Sequence, residues 1–215
     1  HTFIHESGHL LGLNDYYCYD TNNSWDPAGV LDMQSYNVGD HNIYSKMSLG
    51  WVNPYVVTGD SIIKLKTSSK YPEAILINDN WNGSIFDEYL LIEYYTPTGV
   101  NELDAKNKYS NRPIGFSKNG IKIYHVDSRI AKCHYDKTQY AVKFDEYVNE
   151  IPESYDSDIY YLIGASNNNE DSRTDASRQG RYKQVALIEN KQYNKLQAGE
   201  NADDDSLFIF RRRCL

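Results

Sequence analysis

Apolar positions recur along this chain in two rhythms. Over residues 1–12, Phe3, Ile4, Leu10 and Leu11 flank a face bearing His5 and His9, a spacing that predicts a helix. A second short helix is expected over 43–51, stopped by Gly50 and Pro54. Between the two, the stretch 16–25 is aromatic and polar with a loop signal at 20–24, and 26–29 (DPAG) reads as a turn. After Pro54 the rhythm changes to alternation and short apolar runs. Strands are expected at 61–66, 74–77, 88–95, 120–126, 159–163 and 184–188. Polar connections separate them, notably 98–119 and 165–182. The second is rich in Asn, Asp, Ser and Arg without periodicity and is expected to be a mobile loop. The pattern predicts an α+β chain with a soft boundary near Pro54, helical before it and β-rich after it.

Composition narrows the classes. The 215 residues are 40% hydrophobic, enough for a packed core and too many for wholesale disorder. A net charge of −8 without a long basic patch argues against nucleic acid as the main partner. The run Arg211-Arg212-Arg213 is too short and peripheral to change that. No apolar stretch approaches the roughly eighteen residues of a membrane span. Cys18, Cys133 and Cys214 are odd in number and far apart, so they read as structural or free thiols rather than a disulfide framework.

The candidate chemistry lies in the first fifteen residues. His5 and His9 stand four apart with Glu6 directly after the first, the HExxH arrangement of zinc peptidases. On a helix such a pair lies on one face and can aim both imidazoles at one ion. Glu6 projects about a hundred degrees away and can reach a water on that ion, as general base and then acid. Gly12 follows His9 by three residues, and its access to positive φ would end the helix and turn the chain back. Asp15, three further on, then reads as a third ligand, where the metzincin pattern usually has histidine. The alternative reading of Asp15 is a brace for the turn or a ligand to another cation. The chain begins at His1, already inside this helix, and is expected to be an N-terminally truncated fragment. Its upstream part would form the other cleft wall and cover the apolar side of the helix, so the lack of a targeting signal carries no weight.

Taken with residues 32–37 (DMQSYN), 39–42 (GDHN) and 45–51 (SKMSLGW), the extended zinc motif resembles immune inhibitor A-type secreted metallopeptidases. Residues 87–94 (DEYLLIEY), 98–103 (TGVNEL), 120–127 (GIKIYHVD) and 203–208 (DDDSLF) are similar to later blocks of that family's catalytic domain, in order. The resemblance implies the C-terminal part of a zincin, metzincin-like catalytic domain. Residues 1–53 would carry the zinc helix, ligand turn and Met-turn-like region, and 54–215 the β-rich remainder. It further implies a secreted bacterial endopeptidase acting on protein or peptide substrates, with zinc (Zn2+) at the active site and often structural calcium (Ca2+).

The sequence departs from that family in two places. Asn14 stands where proline is common, and Gln34 stands where the methionine of the turn below the metal is expected. Met33 in altered register and Gln34 are therefore both candidates for the floor of the site. Tyr36 is a candidate oxyanion donor, against simple packing in a chain with 20 tyrosines. His41, beside Asp40, could serve the same end or orient another group, against an ordinary structural histidine. His125 reads as structural. The acidic runs 156–158 and 203–205 offer oxygen ligands for calcium but lack EF-hand spacing and read as solvated turns. Three function classes compete: a zinc endopeptidase; a catalytically impaired binding or adhesion module on the same scaffold; and a metallo-amidase for small substrates, with Cys18 as its third ligand.

Overall fold

The computed structural model describes residues 1–19, 26–168, 183–192 and 195–208. The loop signal at 20–24, most of the connection 165–182, the arginine run 211–213 and Cys214 lie outside the described residues. In chain order the elements are α1 (Thr2–Leu10), α2 (Ile43–Ser48), β1 (Tyr55–Val57), β2 (Ile75–Ile77), β3 (Glu88–Tyr95), α3 (Glu102–Lys106), β4 (Gly120–Asp127), β5 (Ile130–Asp136), β6 (Ala141–Val148), β7 (Ile159–Ile163) and β8 (Val185–Ile188). The fold is mixed α+β, mostly strands with few helices.

Five strands form one sheet in the order β1-β2-β3-β4-β8, and three form another in the order β6-β5-β7. β1 and β2 run parallel; the remaining pairs are antiparallel. The β3–β4 ladder is the longest in the first sheet, from Glu88 opposite Asp127 to Tyr95 opposite Gly120. Along β3 the buried positions are Tyr89, Leu91, Glu93 and Tyr95, one face of a period-two strand. That face meets Ile43, Tyr44 and Met47 of α2 and Tyr16 and Val30 of the preceding loops, so one hydrophobic cluster crosses Pro54. α2 is buried on all sides, and the Asn42 side chain caps it by accepting from the Ser45 amide at 2.9 Å.

A buried polar group runs through this core. Glu93 lies 3.6 Å from Lys122 and accepts from Tyr124 Oη at 3.2 Å, while Lys46 pairs with Asp40 and donates to the Ser68 carbonyl. Lys46 and Lys122, backed by hydrogen bonds from Ser68 and Tyr124, hold the Glu93 carboxyl below its ordinary value against the desolvation that would raise it.

The sequence expectations at 74–77, 88–95, 120–126, 159–163 and 184–188 all coincide with strands, within a residue at each end. The strand expected at 61–66 does not form. Ile63 and Leu65 are half-buried and Ile62, Lys64 and Lys66 exposed, so the alternation is present, yet no strand pairs with it. The Lys66 amide instead donates to the Glu73 carboxylate at 2.9 Å, and only Thr67 bridges to Tyr94. The connection 98–119 contains α3, which periodicity did not reveal because the helix is five residues long.

Candidate metal centre

α1 runs from Thr2 to Leu10 and ends as its glycine dictates. Gly12 adopts φ +90°, and the Leu13 amide reaches back to the Gly8 carbonyl at 3.0 Å. The reversal returns Asp15 beneath the His5/His9 face. His5 Nε2 lies 3.0 Å and His9 Nε2 3.3 Å from Asp15 Oδ1, and the two Nε2 atoms are 3.2 Å apart. Among the described residues, this is the one group of three or more His, Cys, Asp or Glu side chains close enough to share an ion.

The tautomers follow from the backbone. His5 Nδ1 donates to the Met33 carbonyl at 2.9 Å, and His9 Nδ1 donates to the Leu13 carbonyl at 2.8 Å. With Nδ1 carrying the hydrogen, each neutral ring presents an Nε2 lone pair to the cluster. Asp15 Oδ1 is buried and receives no hydrogen bond. With both rings neutral, three acceptors converge, an arrangement relieved by a cation among them, whether a metal ion or a proton on one ring. A tetrahedral zinc bound at about 2.0–2.1 Å needs donors about 3.3–3.4 Å apart. The observed triangle is within a few tenths of an ångström of one face of that tetrahedron, and two imidazoles with a carboxylate are an ordinary zinc donor set.

The surroundings hold the triangle. Tyr19 Oη donates to the other Asp15 oxygen, Oδ2. Tyr17 stacks near His5, with 6.4 Å between ring centroids, and burial together with the Asp15 charge pushes its phenol up to about 12. The side chain of His5 is 9% exposed and that of His9 33%, so the open side of the cluster is the His9 side. Glu6 is exposed on the adjacent helical face.

Both floor candidates take part, in different ways. Met33 is buried and supplies the carbonyl that orients His5, with His1 Nε2 donating to the same oxygen at 3.2 Å. Gln34 is fully buried against Gly8 and donates through Nε2 to the His5 carbonyl at 3.3 Å. The side chain under the helix is therefore Gln34. Buried Asp32 fixes this turn, accepting from the Gln34 amide at 2.8 Å and the Asn42 amide at 2.6 Å. Asp104 of α3 clamps the next turn through the Val38 and Gly39 amides at 2.9 and 2.8 Å.

Tyr36 is brought close to the cluster: its ring packs on Tyr17 at 5.5 Å, and no described residue bonds its hydroxyl. His41 is not gathered with His5, His9 and Asp15; its ring packs against Trp51 at 5.9 Å. Cys18 is a free, half-buried thiol outside the His5/His9/Asp15 triangle. His125 pairs with Glu88 at 3.1 Å across β3 and β4. The acidic turn at 203–205 is tied to lysines: Asp203 to Lys195, Asp204 to Lys118 and Asp205 to Lys191. Sequence reasoning missed the two carbonyls that set the rings, since a backbone group leaves no side-chain signal. It also read Asp26 only as a turn residue, although Asp26 is buried.

No protein-family model, curated protein or solved structure matches the chain. No helix among the described residues is long and apolar enough to cross a membrane.

Proposed function

We propose that the chain carries the metal site of a secreted zinc endopeptidase of the immune inhibitor A type, with a zincin catalytic domain. The observation carrying this reading is the convergence of two Nε2 lone pairs and one orphaned carboxylate oxygen at zinc spacing, beside an exposed glutamate. His5, His9 and Asp15 would hold the ion. Zinc bound there would supply Lewis acidity, polarising a carbonyl and bringing the pKa of water near neutrality.

The remaining chemistry belongs to the chain. The Glu6 carboxylate takes the proton of the attacking water and delivers it to the nitrogen of the leaving amine. The Met33 and Leu13 carbonyls keep both imidazoles in the ligating tautomer throughout. The Tyr36 phenol donates to the developing oxyanion.

Glu6→Gln in the full chain tests the assignment. The variant should keep stoichiometric zinc by elemental analysis and lose hydrolysis of casein or a quenched fluorescent peptide. Wild-type turnover in that variant removes Glu6 as the base. Stoichiometric zinc with no hydrolysis by the wild-type chain favours the binding-module reading.

A further inference from the structure

A cavity of about 1520 Å3 is lined in part by Cys18, Asp26, Val30, Tyr36, Tyr109 and Arg112. Two rings link its wall to the His5/His9/Asp15 cluster: Tyr36 packs on Tyr17 at 5.5 Å, and Tyr17 stacks near His5 at 6.4 Å. Val30, Tyr36 and Tyr109 give it apolar and aromatic wall. Asp26 gives it an acid that is only 8% exposed, and no described lysine or arginine forms an ion pair with that carboxylate. The cations on the same wall are otherwise engaged. Lys118 pairs with Asp204 at 3.5 Å, Lys195 with Asp203 at 2.9 Å, and Arg112 donates to the Tyr36 and Asn37 carbonyls. Lys108 also lines the cavity and is exposed.

We propose that this cavity is a substrate subsite for a lysine or arginine side chain, with Asp26 as its counter-ion. The aliphatic stem lies along Tyr36 and Tyr109, as long basic side chains do against aromatic surface. Burying a cation requires a desolvated partner, and Asp26 is the acid of this cavity that is buried and lacks a cation partner among the described residues. Desolvation raises its carboxyl to about 6, so it remains charged at neutral pH. The proposal rests on the peptidase reading, since it names the side chain that site would select.

The test uses the full zinc-loaded chain carrying Glu6→Gln, so that bound peptide stays intact. Matched peptides with Arg, Lys, norleucine or Glu at one scanned position are titrated calorimetrically at pH 7.5. At one position the Arg and Lys peptides should bind at least about tenfold more tightly than the norleucine peptide, the effect of one charge-assisted contact. Adding Asp26→Asn should bring that ratio to about one. Equal affinities, no measurable binding, or a ratio unchanged by Asp26→Asn overturns the subsite. If the Asp26→Asn protein does not fold by circular dichroism, the peptide series on the Glu6→Gln protein decides alone. Hydrolysis by the wild-type chain is read separately: its absence counts against the peptidase, while the affinity ratio judges the subsite.

Discussion

Gly8 and Gln34 are in contact so close that a β-carbon on residue 8 would come within 2.3 Å of Gln34 Oε1. Gln34 has zero exposure and sits under the helix that carries both histidines, so its amide cannot swing into solvent. The missing side chain at Gly8 therefore sets how near α1 approaches its floor, and with it where the His5 ring meets the Met33 carbonyl.

Gly8→Ala sets two effects against each other. Alanine favours a helix interior over glycine by about 1 kcal/mol, while forcing a methyl into a filled site costs about 1–3 kcal/mol. With Gln34 sealed, the second should win, and urea denaturation should show a lower midpoint. The same change in a Gln34→Ala background removes the clash and should be neutral or stabilising. A stabilising Gly8→Ala on its own would show that the helix can lift freely from its floor.

Removing a ligand should be distinguishable from removing a neighbour. Asp15→Ala and His9→Ala should lose stoichiometric zinc on dialysis, and Cys18→Ser should keep it. Zinc at a hundred times its dissociation constant stabilises by about 2.7 kcal/mol. The wild-type melting temperature should therefore fall when a chelator is added, and that fall should vanish in the two ligand variants. Loss of zinc from Cys18→Ser would instead move the site toward the amidase arrangement.

How much of this was legible in the sequence depended on the range of the interaction. The α1 end, the return of Asp15 and the strand at 88–95 are local consequences of Gly12 and of two-residue alternation. The β5–β6 hairpin was not legible, because pairs across strands hold it: Lys132 with Glu146, His134 with Asp145, and Arg129 over the Tyr147 ring. Such pairs leave no periodicity in either strand alone. At 61–66 the reverse holds, since alternation was visible but no neighbouring strand was there to pair. Choosing between Met33 and Gln34 needed the helix in place above them, because only contact with Gly8 separates them.

Tyr36 can be sorted from its packing role by one atom. Burial, then the nearby Asp26 and Asp15 charges, raises its phenol above the ordinary value, so it stays a hydrogen-bond donor at neutral pH. Tyr36→Phe keeps the ring against Tyr17 and removes only the donor. Losing one oxyanion donor costs about 10²–10³ in kcat, so kcat should fall by at least about a hundredfold with KM little changed. An unaltered kcat would leave Tyr36 as a packing residue.

Asp26 makes a prediction about stability that is independent of any substrate. Its folded carboxyl is raised to about 6 by burial, against about 3.9 in an unfolded chain. Between those values the folded state holds the proton and the unfolded state does not, so stability falls as pH rises through the window. The cost is absent below about pH 4 and complete above about pH 6, and two pKa units correspond to roughly 1–3 kcal/mol after allowance for partial exposure. Asparagine cannot ionise and keeps the size of the side chain. Asp26→Asn should therefore match the wild type at pH 4 and exceed it in urea midpoint at pH 7. Both proteins are measured with metal chelated, so that protonation of the ligand set is common to the pair. A variant less stable than wild type at pH 7 would mean that a cation already neutralises Asp26 in the folded chain, which would also close the proposed subsite to a basic side chain.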